Sequence, residues 1–215
     1  MIVLAIDGAL GGFSTAISRH DRIVASSSET GAVALERGLA MIEAALQRAR
    51  IAKSEIDRLA VGMGPGTFTG LRIAIAYSKS LAAAWKRPLV PISSFDLLEF
   101  GRDFERVLTV VEGRPGVISA RYRSGRETHR ASGRIADVLE TLVGGTLSDL
   151  NVVGAPKDVL HALAERGLIV RAVQPLVTPA AAAAALVASG RTPPKTLHEV
   201  RADYGELPAV TLPKR

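Results

Sequence analysis

Gly62-Met63-Gly64-Pro65-Gly66-Thr67-Phe68-Thr69-Gly70-Leu71-Arg72 decides the fold class of this 215-residue chain. Four glycines and a proline separate an apolar run, Leu59-Ala60-Val61, from an alanine-rich run that extends from Leu71 to Trp85. The pattern predicts strand, turn and helix, an arrangement in which free backbone N–H groups at a helix start face an anion or another chain. Pro65 restricts one φ angle, and Gly64 and Gly66 supply backbone conformations closed to residues that carry a Cβ. Thr67 and Thr69 stand where helix-capping residues stand. The loop is not a Walker A sequence, because no Lys follows the last glycine, and it is not G-x-G-x-x-G.

Outward from this loop, the flanking segments alternate between the two regular periods. Ile2-Val3-Leu4-Ala5-Ile6-Asp7 is a near-continuous apolar run, as in a strand buried on both faces. Ser14–Arg19 and Arg22–Ser27 predict a hairpin around His20-Asp21. One long helix is expected over Val33–Arg50, because Leu35, Leu39, Ile42 and Leu46 recur at i, i+4, i+7 and i+11. Leu59–Met63 is the next strand, Leu71–Trp85 the next helix and Leu89–Ile92 the next strand. The second half roughly repeats that order. Strands are expected at Arg106–Glu112, Gly116–Tyr122, Glu127–Ala131 and Asn151–Gly154, with helices at Arg134–Val143 and Val159–Arg166. Thr178-Pro179 opens a last helix through Val187, with Thr as N-cap and Pro in the first turn.

Composition places the chain among ordinary globular proteins, with 47% hydrophobic and 22% charged residues. Aromatic residues are only 4%, so Ala, Leu, Val and Ile must build the core. Arg, Lys or Pro interrupts every apolar stretch before it reaches the length of a membrane span. Asp7 falls inside the first apolar run, which has no basic region ahead of it, so a signal peptide is not expected and a cytoplasmic location is. With no Cys, thiolate metal sites, disulfides and a cysteine nucleophile are excluded.

Together, the glycine loop, its continuation Leu71-Arg72-Ile73-Ala74-Ile75-Ala76-Tyr77-Ser78-Lys79-Ser80-Leu81-Ala82 and the Leu4-Ala5-Ile6-Asp7 start resemble the TsaB (YeaZ) family of bacterial tRNA-modification proteins. The resemblance is strong over residues 1–95 and weak beyond them. It implies an α/β fold of the actin/Hsp70-like (ASKHA, ribonuclease H-like) kind, with two lobes of mixed sheets flanked by helices. The lobes would be 1–95 and a smaller, diverged 105–190, with a boundary near 93–104 and an extended tail over 191–215. It also implies a non-catalytic scaffold role in the complex that forms threonylcarbamoyladenosine next to the tRNA anticodon. The implied partners are a TsaD-like catalytic subunit, a TsaE-like ATPase, tRNA through the complex, and a second copy as a homodimer in isolation. The alternative is an enzyme, either nucleotide-binding or protease-like.

Each candidate for chemistry has a structural counterpart. Asp7 stands where ASKHA ATPases place an acid near the nucleotide's metal and phosphates, but an Asp before Gly8 also caps a turn by accepting backbone N–H bonds. Val110-Val111-Glu112-Gly113-Arg114 looks like a degraded second phosphate loop, with Glu112 where the family has Asp. No cofactor is therefore required, and ATP or ADP binding is left open. His20, His129, His161 and His198 are all more than thirty residues apart, so the His-x-x-x-His metal pair of the catalytic relatives is absent and no metal site is expected. No G-x-S-x-G elbow is present, so no catalytic residue is assigned. The glycine loop itself (Gly64, Pro65, Gly66, Thr67, Phe68, Thr69, Gly70 and Arg72) is the candidate contact for nucleotide or partner.

Two surface features remain. Leu35, Leu39, Ile42 and Leu46 on the first helix, and Leu71, Tyr77, Leu81 and Trp85 on the second, exceed what a small sheet must cover, and the resemblance implies that these helices meet a partner. The family's usual His near the first helix start and its Leu-Pro pair are replaced here by Ala34-Leu35-Glu36 and Leu39-Ala40-Met41. Arg114, Arg121, Arg123, Arg126, Arg130 and Arg134 form a basic cluster that could meet a phosphate backbone, with Arg121 and Arg123 as the candidate tRNA contacts. Two residues apart on a strand, those two could equally form a solvated face.

Overall fold

The computed structural model describes residues 1–143, 150–190 and 192–205. Its centre is β1 (Ile2–Asp7), which pairs antiparallel with β2 (Gly12–Arg19) and so starts a meander that β3 (Arg22–Thr30) extends. After α1 (Ala32–Glu36) and α2 (Gly38–Ala49), β4 (Arg58–Gly64) returns parallel to β1. The chain then runs through α3 (Phe68–Trp85), β5 (Leu89–Ser93) and α4 (Ser94–Glu99), giving the strand order β3-β2-β1-β4-β5.

The second half repeats the arrangement with β6 (Arg106–Arg114), β7 (Val117–Ser124), β8 (Glu127–Arg134), α5 (Ile135–Val143), β9 (Leu150–Val153), α6 (Lys157–Glu165), β10 (Val170–Val173) and α7 (Pro179–Ala188). Its order is β10-β9-β6-β7-β8, so β6 occupies the central place that β1 has in the first sheet. These are the two mixed, helix-flanked sheets of an actin/Hsp70-like fold.

Burial explains the apolar runs. The side chains of β1 alternate between faces: Leu4 and Ile6 join the core under α2 and α3, while Val3 and Ala5 join a second core against α7. Helix α7 lies on the first sheet, although its sequence follows the second. Ala180–Ala184 are all buried there beside Ala5, Ala16 and Ala60, and side chains of this size let the helix axis approach the strands closely. Thr178 caps the helix by accepting the Ala181 N–H at 3.4 Å, as its sequence predicts.

Four features depart from the sequence expectations. The helix expected over Val33–Arg50 is broken at Arg37 into α1 and α2. Gly38, at the break, lies so close to β2 and α3 that a Cβ there would stand 2.8 Å from the Tyr77 ring and 2.9 Å from the Phe13 ring. Helix α4 forms where no helix was expected, and β10 where no strand was. Of the tail expected to extend over 191–215, residues 191 and 206–215 lie outside the described residues. The intervening segment folds back onto the first lobe: Lys195 bridges to Leu89, Val200 is fully buried, and Asp203 donates its N–H to the Met63 carbonyl at 2.7 Å. Among the described residues no helix is long and apolar enough to cross a membrane.

Candidate functional site

The glycine loop is wedged between two other backbone segments. A Cβ on Gly66 would run into the Ala9 carbonyl oxygen, and one on Gly70 into the Gly8 carbonyl oxygen, so the loop and the first turn of α3 seat directly on the β1–β2 turn. Thr67 donates its N–H to Ala9 O at 2.9 Å, and its hydroxyl donates to Gly8 O at 3.4 Å. Thr67 therefore holds the N-cap position of α3 without making a side-chain cap, and its hydroxyl fastens the neighbouring turn instead. On the other side, Gly64 has φ +109° and precedes a cis bond to Pro65, with the Asp203 carbonyl against its Cα. The loop makes close backbone packing its first task.

Asp7 takes the turn-capping role. Its side chain is 2% exposed, and it accepts the N–H groups of Ala9 and Leu10. Burial raises its pKa from 3.8 to about 7, and the two backbone hydrogen bonds offset part of that rise. Oδ2 has no hydrogen-bond partner among the described residues and lies over Gly62, where a Cβ would collide with it.

Between the lobes, a cleft of about 430 Å³ runs past Leu10, Gly11 and Thr67 on one side and Glu112, Gly113, Arg114 and Pro115 on the other. Asp7 is absent from its lining, turned instead into the β1–β2 turn. No three of His, Asp or Glu converge among the described residues, and the four histidines are exposed on separate elements.

The helix residues sort into three groups. Leu71 is fully buried and Ile42 nearly so, both under the first sheet's helices, which corrects the expectation that they face a partner. Leu35, Leu46, Tyr77, Leu81 and Trp85 are half-buried against the same core, with Tyr77 edge-on to Phe13 at 6.2 Å. Leu39 on α2 is 52% exposed, and Val33 on α1 is 64% exposed. Ala40, Ala76, Ala83 and Ala84 add small exposed side chains, and Thr69, Arg72, Ile73, Ala76 and Tyr77 form a shallow groove along α3.

Arg121 and Arg123 are drawn into ion pairs rather than standing as a solvated face. Arg121 is buried, pairing with Asp96 at 2.6 Å and Glu99 at 2.9 Å, while Arg123 pairs with Glu99 at 3.0 Å. Glu99 also accepts the Thr109 hydroxyl. Burial alone would lower the Arg121 pKa, but the nearby Glu99 and Asp96 charges outweigh it and leave the pKa raised. The strand spacing of the two arginines does put both on one face; that face is covered by α4 because Asp96 and Glu99 lie three apart on a short helix. At 6 residues α4 is too short for its periodicity to mark it as a helix, so the sequence gives no signal that Asp96 and Glu99 share a face.

A family model described as TsaD: tRNA N6-adenosine threonylcarbamoyltransferase matches residues 34–191. The chain is 33% identical over 97 residues to the tRNA threonylcarbamoyladenosine biosynthesis protein TsaB of Buchnera aphidicola subsp. Schizaphis graminum, covering 45% of this chain and 46% of that protein. To the TsaB protein of Escherichia coli K12 it is 30% identical over 122 residues, covering 55% and 53%. It thus spans about half the length of these curated relatives. The solved structure of YeaZ from Pseudomonas aeruginosa superposes with a TM-score of 0.71 at 24% identity, over 94% of this chain and 99% of that one, a likeness of fold. The chain belongs to the TsaD: tRNA N6-adenosine threonylcarbamoyltransferase family and is similar to its TsaB (YeaZ) relatives.

Proposed function

We propose that the chain is a non-catalytic scaffold in threonylcarbamoyladenosine formation on tRNA, and that its α1–α3 surface binds a TsaD-type subunit. The observation that carries this is Leu39, more than half exposed on a helix whose other leucine-spaced positions are buried or half-buried. Leu39 and Val33 beside exposed alanines offer apolar area with close helix approach, the combination a helical partner covers. Two observations weigh against catalysis by this chain: Asp7 is committed to capping a turn, and the histidines are scattered. A TsaE-type ATPase and a second copy of the chain are further partners within the same proposal, the second copy using the same face when TsaD is absent.

Leu39→Glu is the test, since it places a charge where desolvation would leave it unpaired. A pull-down with the TsaD-type subunit is expected to lose the complex, and threonylcarbamoyladenosine in tRNA is expected to fall. Unchanged capture by a folded variant would move the interface off α2.

A further inference from the structure

A second groove adjoins the first along α3, sharing Arg72 and Ala76 with it. It has a volume of about 490 Å³ and is walled by Arg72, Ile75, Ala76 and Lys79 of the helix and by Val200, Arg201, Ala202 and Tyr204 of the returning tail. Three cations line it and no carboxylate does. Arg72 and Lys79 are seven residues apart, two helical turns or about 10.5 Å along the axis, so both charges point along the same wall. Arg201 stands opposite, with its Nη2 at 3.5 Å from His198 Nε2. None of the three cations has an ion pair among the described residues.

At one end of the groove is an aromatic stack open to water. The Arg72 guanidinium lies 5.1 Å from the centre of the Phe68 ring, and the Phe68 and Tyr204 rings are 5.1 Å apart at 32°. Phe68 is 57% exposed, a large apolar surface that packing among the described residues leaves uncovered. The tail anchors its side of the groove through buried Val200 and the Asp203–Met63 hydrogen bond, so the wall is held in place without a ligand.

We infer that this groove binds single-stranded RNA, with phosphates along Arg72, Lys79 and Arg201 and a base continuing the Arg72–Phe68–Tyr204 stack. An acidic protein segment would satisfy the cations but leave the rings in water. A nucleotide brings an anion and a π-face in one unit, the pairing that single-strand binding surfaces use. Ala76 and Ala202 keep the walls low, so a base can lie flat against them. The choice of RNA rests on the proposal above that this chain works on tRNA, whose single-stranded loops offer unstacked bases.

Fluorescence anisotropy of the full chain with a fluorescein-labelled oligouridylate of about ten nucleotides, within the usual site size, tests this. Binding should weaken with salt at a slope near −2, from about −0.7 for each of three contacts on a single strand. Arg72→Ala, Lys79→Ala and Arg201→Ala should each flatten that slope by about 0.7. Phe68→Ala should weaken binding about fivefold or more with the slope unchanged, because it removes stacking and no charge. Arg126→Ala, on the β7–β8 turn, should change neither. No binding tighter than about 10⁻⁴ M at low salt, the weak end of non-specific affinity, overturns the inference. So do slopes indifferent to the three cations. Displacement by a polyglutamate peptide whose own affinity ignores Phe68 would assign the groove to an acidic protein and also overturn it. The Lys79→Ala, Arg201→Ala double variant should still capture the TsaD-type subunit, which separates failure of this inference from failure of the scaffold proposal.

Discussion

At the scale of single residues, the loop that decides the fold works by close contact. Gly66 has an ordinary φ, and what forbids a side chain there is the Ala9 carbonyl against its Cα. Gly66→Val is expected to cost about 1–3 kcal/mol or more of stability by overpacking. Gly113→Ala, where the nearest atom to a new Cβ is Gly66 O at 3.7 Å, should be close to neutral. Urea melts of the two variants decide this, and equal midpoints would make the loop a mere connector. Asp7 carries the residue-scale pH dependence. Its carboxyl titrates near 3.8 when unfolded and near 7 when folded. Below about pH 4 both states hold the proton and its stabilisation is fully present. As pH rises from there the unfolded chain releases its proton first, so stability falls until the folded group also ionises near pH 7. The fall is at most about 4 kcal/mol, from roughly three pKa units. Asp7→Asn keeps the shape and removes the titration. Melting temperatures compared at pH 5 and pH 8 should differ less in the variant, and an undiminished difference would assign the pH dependence elsewhere.

At the scale of elements, periodicity distinguished helix from strand but not the two sides of a helix. The i, i+4, i+7, i+11 stripe Leu35–Leu39–Ile42–Leu46 assumes one continuous helix, but the break at Arg37 leaves only Leu39, Ile42 and Leu46 on α2. The face that α2 buries runs through Met41, Ile42 and Ala45, so Ile42 points to the core while Leu39, at the edge of that face, is exposed to solvent. Leu71→Ala should cost about 2–5 kcal/mol of stability through the cavity it leaves. Leu39→Ala should alter stability by about 0.5 kcal/mol or less, as surface changes do, while weakening capture of the TsaD-type subunit. Thermal melts beside the pull-down check both. A Leu39 variant as unstable as Leu71→Ala would place this residue in the core and remove it from the docking face. Tyr77, equally prominent in the sequence, is a poor probe, because its ring holds α3 to Phe13 and borders Gly38.

At the scale of the whole molecule, the lobes are joined by features distant in sequence. Helix α7 closes the first sheet, and the Glu99–Arg121–Arg123–Thr109 network fastens α4 to β6 and β7. Removing one partner of a buried ion pair leaves the other uncompensated, at about 3–5 kcal/mol. Glu99→Ala is expected to lower stability by an amount of that order. Adding Arg121→Met should recover part of it, because Arg121 would otherwise keep only the half-exposed Asp96 as its counter-charge, and the Phe95 ring 5.1 Å away accepts an apolar neighbour. Denaturant titration of the single and double variants measures the recovery; a double variant no better than the single would show that the pairing contributes little.

The sequence by itself determined the local pieces: β1 from its unbroken apolar run, the strand–glycine–helix unit, the Thr178-Pro179 start of α7, and the repeated order that makes two lobes. These follow from dihedral restriction, capping and burial period, which act within a few residues. Tertiary structure alone decided where each piece lies. It drew Arg121 and Arg123 beneath α4, laid α7 on the other lobe's sheet and folded 192–205 against the glycine loop. Those outcomes depend on which buried charges find partners and which backbones approach closely, and such contacts join residues separated by tens to more than a hundred positions, beyond the reach of any local pattern.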